Sequence, residues 1–79
     1  MSHRYLQPIT LQLKQGQPVE FQWEERDYQI VQIVDHWTLQ TLWWEGEIIR
    51  MYYQVMTPTW GIYCLFVESG QWYLDTISD

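Results

Sequence analysis

A period-two alternation of apolar and polar residues, interrupted by short turns, most constrains the fold of this chain. Residues 9–13 (ITLQL) and residues 19–24 (VEFQWE) both place an apolar side chain at every second position. Residues 14–18, which contain Gly16 and Pro18, favour a turn between them. Because successive side chains of a strand point to opposite faces, the two segments predict a β-hairpin with one buried face. Its predicted inward set comprises Ile9, Leu11, Leu13, Val19, Phe21 and Trp23.

The later segments also favour strands. Residues 28–35 carry apolar side chains on both faces, which predicts a central strand covered on both sides. Residues 36–44 contain no strand breaker, and they either extend that strand or begin another. Residues 48–57 form the longest candidate, residues 62–67 are apolar at every position, and residues 71–77 alternate again.

These segments together predict the fold class. The sequence contains no Ala, the best helix former, while β-branched and aromatic residues fill the periodic segments. We therefore expect an all-β domain, a small antiparallel meander of five to seven strands arranged as a curved sheet or a small barrel. Because 79 residues are enough for one domain only, residues 1–79 are expected to form it. Residues 1–8 are predicted to be a flexible or edge segment.

Two aromatic pairs flank a glycine turn in residues 43–53 (WWEGEIIRMYY). Only one member of each pair can face a single core, since neighbours along a strand point to opposite faces. Tyr52 is predicted to lie outward beside Arg50 on the more polar face. For Trp43 and Trp44 the sequence leaves open which side chain is exposed. The predicted core set of this strand is Ile49, Met51, Tyr53 and Val55.

The aromatic content as a whole suggests a function as well as a core. Six Trp, six Tyr and two Phe are more aromatic side chains than a chain of 79 residues can bury completely. Centres of protein interfaces are enriched in Trp, Tyr, Met and Arg. The sequence therefore predicts a non-enzymatic interaction module that uses an exposed aromatic patch to bind a protein partner or another copy of itself. The candidate partner-binding residues are Trp43, Trp44, Arg50, Tyr52 and Tyr73.

Two alternatives use the same aromatic side chains. Aromatic rings on an open sheet stack the bases of single-stranded nucleic acid. The net charge of −6, with only four Lys and Arg residues, makes such a partner unlikely, because phosphate binding requires clustered cations. The same charge disfavours an anionic membrane surface. The second alternative is a small ligand held inside an aromatic-lined barrel.

The sequence offers no assembled reaction chemistry. His3, His36 and Cys64 lack the spacing of metal ligands, and neither a serine nucleophile elbow nor a glycine-rich phosphate loop is present. Cys64 lies in an apolar run, which predicts an inert thiol. We therefore expect no catalytic residue, no metal and no cofactor. The absence of a signal peptide or a long apolar segment predicts a cytoplasmic protein without membrane contact.

A particular order of aromatic and turn residues runs along residues 17–79. It comprises Pro18-Val19, Phe21-Gln22-Trp23, Tyr28, Val31, Val34, Trp37, Trp43-Trp44, Glu45-Gly46-Glu47, Arg50, Tyr52-Tyr53-Gln54-Val55, Leu65-Phe66, Gly70-Gln71-Trp72-Tyr73-Leu74 and Asp79. This order resembles a small bacterial domain of unknown function, which occurs alone and is similar to the C-terminal segment of catalytically inactive Y-family polymerase relatives of the ImuB type. Met51 departs from the pattern, because an acidic residue commonly precedes the Tyr pair. The resemblance implies a bacterial cytoplasmic setting and a link to DNA-damage tolerance, and it implies no enzymatic activity.

Overall fold

The computed structural model describes residues 3–78, with the backbone alone for His3, Arg4 and Trp43. Eight strands make up this part of the chain, and it contains no helix. They are β1 (His3–Pro8), β2 (Thr10–Lys14), β3 (Gln17–Trp23), β4 (Arg26–Gln29), β5 (Gln32–Trp43), β6 (Gly46–Met56), β7 (Ile62–Glu68) and β8 (Gln71–Ser78). The all-β prediction is confirmed, with eight strands in place of five to seven.

The strands form two antiparallel sheets. The larger sheet has the order β1-β8-β7-β6-β5, and the smaller has the order β2-β3-β4. Strands β5 to β8 pair with their neighbours in chain order, which is the predicted meander, and β1 is added beside β8. The sheets do not close into a barrel, because β1 and β5 each have a partner on one side only.

The predicted first hairpin forms between β2 and β3, but a bulge changes which side chains face inward. Gln12 pairs with Glu20 whereas Leu13 pairs with Pro18, so Val19 has no partner across the hairpin. An extra residue in one strand shifts the alternation beyond it by one position. Pro18 is consequently buried, while Leu13 and Val19 are exposed. The prediction that Leu13 and Val19 face the core is therefore wrong.

The predicted central strand over residues 28–35 is two strands in two different sheets. Strand β4 ends at Gln29, and β5 begins at Gln32. Between them, the Ile30 N–H donates a hydrogen bond to the Val19 carbonyl in the smaller sheet, while the Val31 N–H donates one to the Met56 carbonyl in the larger sheet. Apolar residues on both faces of this segment therefore mark a crossover between sheets. Strand β5 then continues through residues 36–43 and lies at a sheet edge, not at the centre.

The hydrophobic core lies between the two sheets. Its buried residues are Ile9, Phe21, Val55, Leu65 and Leu74. Phe21 of the smaller sheet joins the layers, because its ring stacks on Tyr28 at 4.9 Å between centroids and contacts Tyr63 of β7 at 5.4 Å. Tyr53 and Trp72 pack against this cluster from the larger sheet. The predicted core positions Phe21, Tyr53 and Val55 thus face the interior.

Strand β6 extends beyond its neighbour β7. Residues Met51 to Met56 pair with β7, whereas residues from Gly46 to Arg50 pair only with β5. Residues 39–50 therefore form a two-stranded projection, here named the β5–β6 arm. Ile49 and Met51, which were predicted to be core residues, are exposed because they lie in this arm or at its base.

Candidate functional site

Four aromatic side chains align across four neighbouring strands of the larger sheet. Trp37 of β5 pairs with Tyr52 of β6, Tyr52 pairs with Phe66 of β7, and Phe66 pairs with Tyr73 of β8. Residues directly opposite each other in a sheet project their side chains from the same face. These four residues, Trp37, Tyr52, Phe66 and Tyr73, are named the aromatic row.

The rings of the aromatic row contact one another from end to end. The Trp37 and Tyr52 rings are parallel within 3°, with centroids 5.4 Å apart. The centroid of Phe66 lies 5.2 Å from that of Tyr52 and 5.0 Å from that of Tyr73. These separations fall in the range of favourable aromatic contacts, each of which adds about 1 kcal/mol beyond the burial of area. The row is therefore a continuous cluster.

The row lies on the sheet face that points away from the core. Tyr53, Leu65 and Leu74 occupy the next register position and face the smaller sheet. Their neighbours Tyr52 and Phe66 must therefore project from the opposite face. The ring contacts and hydrogen bonds described for the row all stay within this face.

The centre of the row is buried although it faces away from the core. Tyr52 is only 6% exposed and Phe66 only 3%, whereas Trp37 at the end of the row is 42% exposed. Neighbouring rings on both sides cover Tyr52 and Phe66. The prediction of an outward direction for Tyr52 is confirmed, but the prediction that its side chain is exposed is wrong. Tyr73 is half-buried.

Arg50 adds a cation to the row. Its guanidinium carbon lies 4.7 Å from the centroid of the Phe66 ring, which is a cation–π contact. Its Nη1 donates a hydrogen bond of 3.3 Å to the Tyr52 hydroxyl oxygen, and its Nε donates to the carboxylate of Glu68, with which it forms an ion pair. The hydrogen bonds to Tyr52 and Glu68 raise the pKa of Arg50 above its ordinary value. Glu68 therefore balances the positive charge of Arg50 at the row.

The other candidate residues lie at the tip of the arm. Trp44 belongs to the turn between β5 and β6 and is 87% exposed, and Leu42 nearby is 78% exposed. No ring contact described for residues 3–78 joins Trp44 to the row. The side chain of Trp43 lies outside the described residues. The structure thus brings Arg50, Tyr52 and Tyr73 together and places Trp44 separately.

Trp37 and Phe66 belong to the cluster but were not among the predicted site residues. A two-residue turn at Trp44 and Glu45 would have identified Trp37. Such a turn pairs residue 43 with residue 46, and counting back along both strands places Trp37 opposite Tyr52. Phe66 offered no comparable signal, since it lies in a run that is apolar at every position.

Metal-binding groups and the Cys64 thiol are the features that concern reaction chemistry. No group of three or more His, Cys, Asp or Glu side chains in this part of the chain is placed to hold a metal ion. Burial, reinforced by the nearby charge of Asp75, raises the pKa of the Cys64 thiol to about 11. A thiol with such a pKa is a poor nucleophile at neutral pH, because the thiolate is the reactive form.

Residues 3–78 provide no helix of the length and apolar character that crossing a bilayer requires. No family model, curated protein or solved structure matches the chain.

Proposed function

We propose that the protein is a non-enzymatic interaction module whose aromatic row, together with Arg50, binds an apolar segment of a protein partner. The observation that carries the proposal is a continuous row of four rings on the sheet face that points away from the core. Aromatic side chains that serve only the core would lie between the two sheets, whereas this row lies on the outer face of the larger sheet. Its position supports a role in recognition in addition to stability.

The chemistry of the face favours an apolar protein segment over a charged ligand. Arg50 is the cation of the row, and Glu68 neutralises it. A partner with phosphates or many carboxylates would meet a chain of net charge −6, and the cation beside the row, Arg50, is already paired with Glu68. Aliphatic, aromatic and Met side chains suit such a surface, as they do at the centres of known interfaces. The resemblance to ImuB-type segments supports a search for the partner among DNA-damage-tolerance factors.

Binding of single-stranded nucleic acid is the second candidate, and the row itself favours it. Rings presented by neighbouring strands of a sheet stack successive bases in several nucleic-acid-binding folds. Such a site also needs cations that bind the phosphates, and Arg50 is already paired with Glu68. Titration with an oligothymidylate at about 20 mM salt, where phosphate contacts are strongest, tests this candidate. Saturable binding of the oligothymidylate at this salt concentration that is lost with Tyr73→Gln would make single-stranded nucleic acid, and not a protein, the proposed ligand.

The proposed function is tested by selecting binders from a random peptide library displayed on phage. Selected peptides are titrated against the wild type, Tyr73→Gln and Trp60→Gln by isothermal calorimetry. Tyr73 belongs to the row and is separated from β5 by two strands. Trp60 lies in the turn between β6 and β7, is 79% exposed and makes none of the row's contacts, so Trp60→Gln is a matched control.

We expect peptides that are rich in apolar residues and bind the wild type with micromolar affinity. Their affinity should fall at least about tenfold with Tyr73→Gln and should not change with Trp60→Gln. The Nε1–H resonance of Trp37 should shift during the same titration followed by NMR. Peptides that depend on Trp60 and not on Tyr73 would contradict the proposal. A library that yields no peptide shifting any resonance of the row would contradict it as well.

A further inference from the structure

The two sheets have four edges, and three of them are protected against pairing with another chain. Strand β1 contains Pro8 and a register shift between Arg4 and Gln7, and β2 carries Lys14 and pairs across a bulge. Strand β4 is four residues long and contains Arg26 and Asp27. Short length, charge, proline and bulges are the devices by which natural sheets prevent edge-to-edge association. These three edges therefore discourage a second chain.

The fourth edge, β5, lacks most of these devices. It is twelve residues long, contains no Pro, Lys or Arg, and has Asp35 as its single carboxylate. Its register shift lies near its beginning, between Ile33 and Asp35, and the pairing with β6 is regular from Asp35 to Trp43. Its exposed large apolar side chains are Val34, Trp37, Leu39 and Leu42. A long, regular, apolar edge of this kind is a template for strand addition.

The β5–β6 arm strengthens this conclusion. Residues 39–50 form two strands without a third partner, and Leu39, Leu42 and Ile49 are exposed there. An isolated two-stranded ribbon is marginally stable in water, and three or more strands are needed for independent stability. A strand added along β5 would supply the missing neighbour.

We propose that a second copy of this chain pairs with the first, antiparallel along β5, to form a continuous ten-stranded sheet about a two-fold axis. An antiparallel pair of identical strands is self-complementary, so both copies use the same surface and the assembly closes as a dimer. The proposal goes beyond the proposed function, because it concerns the backbone edge of the sheet and not the face that carries the row.

Strand geometry limits the register of the pair. Residues opposite each other across an antiparallel ladder must have matching backbone orientation, so odd-numbered residues of one copy face odd-numbered residues of the other. Because the pairing of β5 is regular only from Asp35 to Trp43, the register with the longest overlap pairs these nine residues and places Leu39 opposite Leu39 of the second copy. In this register Trp37 lies opposite Thr41 of the second copy, so both aromatic rows end on the same face, two residues from the axis.

Charge explains why a second copy fits this edge despite the repulsion between acidic chains. Each chain carries a net charge of −6, yet between Asp35 and Trp43 the strand has no other carboxylate. In the register with the longest overlap, Asp35 lies opposite Trp43 of the second copy, away from its own symmetry mate. The copies therefore meet along a strip of low charge, where the repulsion between the acidic chains is weakest.

The size of the contact sets the expected affinity. The nine residues from Asp35 to Trp43 span roughly 30 Å at 3.3 Å per residue. A strip of that length and about 14 Å in width buries roughly 800 Å² over both copies, which is the size of a weak, transient interface. We therefore expect a reversible dimer with a dissociation constant on the order of micromolar.

Sedimentation velocity from about 1 μM to about 1 mM tests the proposal on the wild type and two matched variants. Thr38 is an exposed residue of β5 that pairs with Met51, so its side chain lies on the face opposite the row. Thr38→Lys places like charges at or beside the two-fold axis. Thr10→Lys makes the same change at an exposed position of the protected edge strand β2.

We expect a concentration-dependent dimer whose dissociation constant rises at least about tenfold with Thr38→Lys and stays unchanged with Thr10→Lys. Hydrogen exchange locates the contact, because the alternate β5 amides that point away from β6 should be protected at high concentration only. A monomer throughout the range, a dimer insensitive to Thr38→Lys, or β5 amides that exchange equally fast in the dimer would each overturn the proposal. Peptide binding that is retained with Thr38→Lys but lost with Tyr73→Gln would show that the aromatic row binds its partner whether or not the dimer along β5 forms.

Discussion

The ring of Tyr52 lies parallel to the ring of Trp37, with 3° between their planes and 5.4 Å between their centroids. This relationship explains how a side chain on the outer face of a sheet can be only 6% exposed. With Trp37 on one side, Phe66 on the other and Arg50 bonded to its hydroxyl group, Tyr52 is covered by its own neighbours. The row therefore contributes to stability as well as presenting a surface.

Replacement of Tyr52 should destabilise the protein as strongly as a change in the core. Tyr52→Ala removes a buried ring from the centre of the row, and the remaining cavity cannot close because two strands fix the neighbouring rings. We expect the free energy of unfolding to fall by about 3 kcal/mol, measured by urea denaturation.

Two further variants check the cause of that loss. Tyr52→Phe keeps the ring and removes only the hydroxyl group that accepts a hydrogen bond from Arg50, so it should cost about 1 kcal/mol. Leu42→Ala, at an exposed position of β5, should change the stability by less than about 0.5 kcal/mol. A loss with Tyr52→Ala as small as that with Leu42→Ala would show that neighbouring rings do not bury this residue.

Phe21 should be the residue on which the contact between the two sheets depends most. It is fully buried, and its ring contacts Tyr28 of the smaller sheet and Tyr63 of the larger one. Phe21→Ala should lower the free energy of unfolding by about 3 to 5 kcal/mol. Amides of the smaller sheet should then lose more hydrogen-exchange protection than those of β6 and β7.

Val19 provides the matched control for Phe21. It lies in the same strand, but the bulge places its side chain outward. Val19→Ala should therefore cost less than about 1 kcal/mol, although alternation along the sequence assigned both residues to the core. Equal losses in the two variants would mean that the bulge does not exist in solution.

The sequence was sufficient to predict the direction of many side chains but not their burial. Alternation correctly placed Tyr52 and Tyr53 on opposite faces, and composition correctly predicted a sheet protein. The burial of Tyr52 depends on cross-strand neighbours, and these follow from a register that no local pattern specifies. The outward direction of the Val19 side chain depends on a bulge of one residue, which no local sequence pattern specifies either.

The crossover between sheets was a further limit of local reasoning. Ile30 and Val31 are adjacent and apolar, and each bonds to a different sheet. A chain that passes from one sheet to the other in this way has the same sequence pattern as a strand buried on both faces. Among the candidate residues, Tyr52 and Tyr73 lie in the aromatic row and Arg50 contacts it. The places of Trp37 and Phe66 in the row follow only from the pairing of distant strands.

A methyl group at Gly61 should disturb the packing of Tyr63. A Cβ atom built at Gly61 would lie 2.9 Å from Cε1 of Tyr63 and 3.3 Å from Oγ1 of Thr57. The Tyr63 ring cannot move away freely, because Phe21 and Tyr28 contact it. We expect Gly61→Ala to lower the free energy of unfolding by about 1 to 3 kcal/mol.

A double-mutant cycle assigns that loss to a cause. In a Tyr63→Leu background the ring atom nearest to Gly61 is absent, so the additional cost of Gly61→Ala should fall by at least about half. Thermal denaturation of the four proteins gives the coupling energy. An unchanged cost would mean that crowding against Tyr63 is not what selects glycine at this position.

Cys64 should react slowly with alkylating reagents in the folded protein. Burial and the charge of Asp75 raise the pKa of its thiol to about 11, compared with 9.0 for an exposed cysteine. Because the pKa is raised, the thiolate is depleted at every pH below about 11, and at pH 8 the difference of about two units lowers its fraction roughly 100-fold. Mass spectrometry of iodoacetamide labelling at pH 8 should show a rate lower by about that factor than the rate in urea. A folded-state rate within about threefold of the unfolded rate would contradict the burial of this thiol.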